Sequence, residues 1–191
     1  MAAAIVRRTS LASGDVPVLV VAAGPRWCAA IDLNSGALRL ARWPEPGPVL
    51  APYTLARVEV AHDQGGADPT RPEDVVLTAA PAPTGRVGRR RAERWLRPLL
   101  HPEGQDLLGS AGPDVAYWTV TADRPSVAVV SPSSPPVLLG DRCHFRWGSA
   151  VQVLPALDGA RRWCPAHPRR VLVALSGPRD GRCYKVVAAL L

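Results

Sequence analysis

A chain of 191 residues with 47% hydrophobic content can build one medium core or two small ones, which excludes a disordered tail. Its 21 prolines leave no proline-free run longer than the 18 residues of 26–43 and 137–154; because proline inside a helix costs about 3 kcal/mol, long bundles and coiled coils are excluded as well. The net charge of +7 makes an anionic partner worth considering, although every basic residue except Lys185 is arginine, so a compositional bias alone could produce it.

Taken in chain order, the sequence opens with Arg7-Arg8-Thr9-Ser10-Leu11, a faint likeness to a twin-arginine export signal that Asp15 and Pro17 interrupt. Val16 to Ala23 reads as a buried strand and is far shorter than the roughly 20 residues that cross a bilayer. Trp27 to Leu33 is a second strand, and Asn34-Ser35-Gly36 supplies the turn that returns Ala37 to Trp43 antiparallel to it. Pro44, Pro46, Pro48 and Pro52 forbid regular structure until Tyr53 to Ala61, which alternates at the period of a half-buried strand. The loop from His62 to Pro72, with Gly65, Gly66 and Pro69, leads into an apolar Val75 to Ala80.

One segment has a helical period. From Gly88 to Leu100, Ala92, Trp95, Leu96, Leu99 and Leu100 fall on one face, while Arg90, Arg91, Arg94 and Arg97 fall on the rest of the circumference. Pro98 limits this helix to about three turns. Strand patterns resume in Val115 to Thr121 and Ser126 to Val130, then in Arg142 to Trp147, Ala150 to Leu154, Val171 to Leu175 and Tyr184 to Leu190. Two sets of about five short strands suit a mainly β protein of two small OB-like barrels joined by a short basic helical bridge. The expected boundaries are 1–83 for the first barrel, 84–112 for the bridge and 113–191 for the second.

The closing residues Gly181-Arg182-Cys183-Tyr184-Lys185-Val186-Val187-Ala188 resemble the Gly-x-Cys-Tyr-Lys-Leu-Val-Ala strand of the dual OB-containing domain family, a bacterial module associated with defence systems. Val173 to Gly177, Val18 to Ala23 with Arg26 to Ala30, Glu73 to Val76 and Phe145 to Gly148 are similar to further elements of it. The family's Trp-Ile-Arg-Pro element is represented by Leu40 to Trp43, onto which only the arginine, Arg42, carries over. The resemblance implies two OB-like barrels and no established catalytic activity.

Four cysteines, Cys28, Cys143, Cys164 and Cys183, are too few and too scattered for a disulfide scaffold, so a cytoplasmic protein is expected. The sequence has no phosphate-binding glycine loop, no His-Glu-x-x-His zinc helix, no Gly-x-Ser-x-Gly elbow and no dinucleotide fingerprint. Neither an enzyme nor a cofactor is expected. The acids Asp63, Asp68, Glu73 and Asp74, beside His62, read as a solvated turn in preference to a divalent-cation site. Cys143-His144 with Cys164 and His167 has the ligand chemistry of zinc, but adjacent strand residues point to opposite faces and cannot easily share one metal. No metal site is expected.

Nucleic-acid binding on a barrel needs basic side chains for the backbone and flat rings on which bases stack. Arg26, Arg39 and Arg42 alternate with Trp27 and Trp43 across the first hairpin, and Arg90, Arg91 and Arg94 lie in the densest positive run, which Glu93 alone opposes. Tyr184 and Lys185 complete the candidate set. The expected function is therefore non-enzymatic binding of single-stranded nucleic acid or a nucleotide; the alternative is an adaptor that docks a partner effector protein and touches no polyanion. No membrane partner is expected.

Overall fold

The computed structural model describes residues 15–64, 68, 71, 73–121 and 124–191. The Arg7-Arg8 motif and all the glycines and prolines of the 62–72 loop lie outside these residues. Among the described residues 44% are strand and 13% helix, and the curled sheets make a half-barrel. The mainly β expectation holds.

The first sheet grows from β1 (Asp15–Ala23), β2 (Trp27–Asp32) and β3 (Leu38–Arg42), an antiparallel meander. The β2–β3 turn forms because the Asp32 carboxylate accepts from the Asn34 N–H at 2.9 Å and the Ser35 hydroxyl at 2.6 Å, while Gly36 takes a φ of +72° that a side chain would resist. β4 (Thr54–Glu59) pairs antiparallel with β1, and the three residues of β5 (Asp74–Val76) pair parallel with β3. A bridge between Val60 and Leu77 then joins the end of β4 to the end of β5. The pairings complete a circuit, β1 to β2 to β3 to β5 to β4 and back to β1. β6 (Ala82–Arg86) adds an edge on β4.

α1 (Arg89–Leu96) continues as a 3-10 turn over Arg97–Leu99, since Pro98 cannot donate to a further helical bond. Beyond it, β7 (Asp114–Ala116) and β8 (Val127–Val130) precede a small sheet of β9 (Val137–Leu139), β10 (Arg142–Trp147) and β11 (Ala150–Pro155). The short α2 (Asp158–Arg162) leads to β12 (Val171–Leu175) and β13 (Arg182–Leu190), which complete a sheet of order β7-β13-β12-β8.

The apolar residues divide into three clusters. One fills the interior of the first sheet, through Val18, Val20, Cys28, Ala30, Ala41 and Trp43. Another lies between the two later sheets, through Phe145, Trp147, Leu154, Val173 and Val187. The third is a middle layer. Leu19, Val21, Ala29 and Ile31 of the first sheet meet Ala92 and Leu96 of α1 and Val129, Leu172, Ala188 and Ala189 of the second. Alternate residues of β1 and β2 thus enter two different cores, which is why these strands read as unbroken apolar runs.

Buried polar groups cross the same boundary. Glu73, 5% exposed, accepts from the Ser126 hydroxyl at 2.8 Å and the Ser126 N–H at 3.1 Å. Burial raises its carboxyl above the ordinary glutamate range, an effect the Ser126 bonds oppose. Arg71 donates to the carbonyls of Leu175 at 3.1 Å and Ser176 at 2.6 Å, and lies 3.2 Å from the Asp68 carboxylate. Both residues come from the loop between β4 and β5, so that loop is held by the second half of the chain.

Candidate nucleic-acid interface

The first hairpin does not present the alternating arginine and tryptophan surface that its sequence suggests. Trp43, 4% exposed, belongs to the first core, where Gly47 and Ala80 close over it: a Cβ on Gly47 would lie 3.2 Å from the Trp43 Nε1 and 2.4 Å from the Ala80 Cβ. No base can stack on it. Trp27 is half-buried, with its indole lying over Gly24, where a Cβ would fall 2.1 Å from Nε1. Arg39 is 7% exposed and sits close enough to the Glu73 carboxylate to stabilise its charge. Arg42 is exposed but forms an ion pair with Asp74, the neighbour supplied by the parallel β5. Arg26 alone of the five points to solvent with no ion-pair partner among the described residues.

Lys185 is also displaced from the expected set. It is fully buried, and its ammonium donates to the Ser110 carbonyl. Burial lowers its pKa, because the charged form loses water that one carbonyl only partly replaces. A group with no exposed surface cannot touch a phosphate. Its neighbour Tyr184 faces outward, 36% exposed.

α1 keeps the surface that its period predicts. Ala92 and Leu96 enter the middle layer, while Arg90, Arg91, Arg94 and Arg97 are exposed and form no ion pair among the described residues. Glu93, the one acid of the helix, is taken by Arg170, whose Nη2 lies 2.7 Å from its carboxylate. The first turn carries no acid and no side-chain cap. Three arginines, Arg89 to Arg91, stand there against the positive end of the helix dipole, each of the exposed ones disfavouring the helix by about 0.3–1 kcal/mol. A bound anion would reverse that sign.

A second basic segment adjoins the helix. Arg89 donates to the His167 carbonyl at 3.0 Å and the Leu191 carbonyl at 3.1 Å, which brings residues 161–169 to the side of α1. That segment holds Arg161, Arg162 and Arg169, all exposed, and Trp163, 36% exposed with the Arg162 guanidinium 5.2 Å from its ring centroid. Sequence pattern does not reveal this extension, because α2 and the segment after it lack a strand or helix period of useful length. The run Arg161-Arg162-Trp163 is the signal that could have found it.

The other candidates resolve into structural roles. Cys143 is buried and His144 half-buried on the opposite face of β10, and among the described residues no group of three His, Cys, Asp or Glu side chains could hold a metal. Glu73 and Asp74 are occupied by Ser126 and Arg42. Cys28 and Cys183 are both fully buried, and the Cys28 thiol is pushed up to about 12 by that burial. A cleft of about 360 Å³ lies beside Trp147, but Glu103 and Asp106 line it and would repel a phosphate. Among the described residues no helix is long and apolar enough to cross a membrane. No family model matches the chain, and neither a curated protein nor a solved structure does.

Proposed function

We propose that this chain is a non-enzymatic binding module for single-stranded nucleic acid, cytoplasmic and built from two OB-like barrels, with α1 and residues 161–169 as the backbone-binding surface. The observation that carries this reading is the set of four exposed arginines, Arg90, Arg91 and Arg94 on α1 and Arg97 in the turn that continues it, whose one neighbouring acid is taken by Arg170. The circuit of pairings in the first sheet supports a barrel there, and the likeness of the closing strand supports a recognition role in bacterial defence. A single strand fits better than a duplex because α1 is only 8 residues long and packed along one face, whereas Trp163 offers a ring beside the arginines.

The test is oligonucleotide binding as salt is varied. Neutralising about four phosphates gives a slope of log K against log salt near −3 for a single strand. Absence of any binding at low salt sinks the reading.

One observation favours the adaptor instead. The outer face of the β9-β10-β11 sheet carries Val137, Leu139, Val151 and Val153, 38–61% exposed, around Arg142, His144 and Arg146. Such a face suits an apolar protein surface bearing acids. A glutamate at Leu139 or Val151 would then abolish partner binding and leave nucleic-acid binding intact.

A further inference from the structure

Trp118 is 74% exposed, more than any other large hydrophobic side chain among the described residues, and it is not loosely held. It lies in a 3-10 turn, Tyr117–Thr119, that follows β7. The Tyr117 N–H donates to the Gly181 carbonyl at 2.9 Å, the Val120 N–H closes the turn on the Tyr117 carbonyl at 3.0 Å, and Val120 itself is buried. The indole rests on the turn between β12 and β13. A Cβ at Gly181 would come within 3.1 Å of its Cζ3, and Gly181 has a φ of +72°, so glycine both makes the turn and leaves room for the ring.

Two further side chains share this corner. Along β13, Cys183 and Lys185 are fully buried, which turns Arg182 and Tyr184 together to the outside. Their register partners on β7 are Ala116 and Asp114, and Arg182 is held by the Asp114 carboxylate. β7 is the edge of its sheet, so no neighbouring strand of the described chain covers it. Tyr117, 36% exposed, adds a third aromatic side chain. The corner is close to neutral: Arg179 and Arg182 stand against Asp114 and Asp180.

We infer that Trp118, supported by Tyr184 and Arg182, is a base-stacking subsite for single-stranded nucleic acid. This inference rests on the single-strand reading above. A flat ring carried on a hydrogen-bonded turn and set against Gly181 loses little conformational freedom when it stacks a base, and every base has a π face to offer. The near-neutral corner attracts no phosphate of its own, so it takes bases from a strand that arginines elsewhere retain. α1 supplies them. Arg89 holds the Leu191 carbonyl just past one end of β13, and Arg182 opens the other, roughly 30 Å away at about 3.3 Å per residue. A strand retained at α1 presents its further bases to Trp118 at high local concentration.

The experiment measures binding of a thymidine oligonucleotide of about 20 residues, which outspans that distance at 3.4 Å per residue, beside a sugar-phosphate strand of equal length without bases. Trp118→Ala is expected to weaken the thymidine strand about tenfold, leave the base-less strand unchanged and keep the salt slope; Trp118→Phe restores most of the loss. Because the side chain is exposed, the variant folds, and its melting temperature confirms that. Equal binding of the thymidine strand by Trp118→Ala and the parent overturns the subsite, as does equal weakening of both strands. If joint replacement of Arg90, Arg91 and Arg94 weakens binding while Trp118→Ala does not, the subsite falls and the single-strand reading stands. A parent protein that binds neither strand overturns both.

Discussion

Two of the corners where tryptophan stands beside arginine have opposite fates. In the first hairpin, Trp43 and Arg39 are buried and Arg42 is engaged by Asp74. At the end of β13, Trp118 is open beside Arg182 and Tyr184. The difference lies in what covers each sheet. β1 and β2 have a core on both faces, and the chain from Pro44 to Pro52 closes over Trp43, whereas β7 is an edge strand whose following turn projects outward. The same residue types become packing in one place and surface in the other.

The comparison breaks most sharply on the two tryptophans. Trp43→Ala should lower stability by about 3–5 kcal/mol, the usual result of emptying a core indole site, and Trp118→Ala by no more than about 0.5 kcal/mol. Denaturant midpoints of the two variants measure this, and a large loss from Trp118→Ala would show that its turn is structural. The next effect separates clamped arginines from free ones. Arg71→Ala removes the donor to the buried Leu175 carbonyl and the half-buried Ser176 carbonyl together with the ion pair to Asp68, and should cost about 3 kcal/mol in the same assay.

Acidity gives a third comparison between the halves, because Glu73 joins them. Its folded carboxyl titrates above the ordinary value of 4.5, so between that value and the raised one the folded state keeps a proton that the unfolded state has lost. Stability therefore falls as pH rises through this window. Glu73→Gln, which cannot ionise, should show a flatter stability profile across it; an unchanged profile would remove Glu73 as the cause.

The smallest effect on folding belongs to α1. Replacing Arg90, Arg91 and Arg94 by alanine removes two charges from the wrong end of the helix dipole and one, Arg94, from the favourable last turn, and adds a better helix former at each position, so the net gain in stability should be no more than about 0.5 kcal/mol. Binding should fall in the same protein. The salt slope flattens by up to about 0.7 for each phosphate that is no longer neutralised. A fall in melting temperature would show that these arginines hold the fold.

Much of this architecture is legible in the residues. The β1, β2 and β3 segments, the turn at Gly36 and the helical face of Ala92 and Leu96 follow from apolar spacing and turn chemistry alone. β6 and β9 were not legible, because Ala82 to Arg86 is wholly exposed and Val137 to Leu139 nearly so; pairing with β4 and β10 makes them strands. The reach of Arg71 to Leu175 crosses 104 positions, and nothing local announces it. Within the candidate site, the arginines of α1 were readable from their period. The burial of Trp43 and Lys185 was not, since it depends on which faces distant segments cover.

The cysteines turn the three-layered interior into something that can be watched. Cys28 sits in the core of the first sheet, Cys143 and Cys183 in the core between the two later sheets, and all are fully buried, while Cys164 is exposed. Burial also holds the thiols of Cys28 and Cys143 at about 12 and about 11, far from the reactive thiolate. An alkylating reagent therefore reaches Cys164 in the native protein and reaches the other three only when their own core opens. The chain carries a built-in clock at each end of its interior. If both clocks run at one rate, the two halves open as a single cooperative body; if they run at different rates, the middle layer is where the molecule parts.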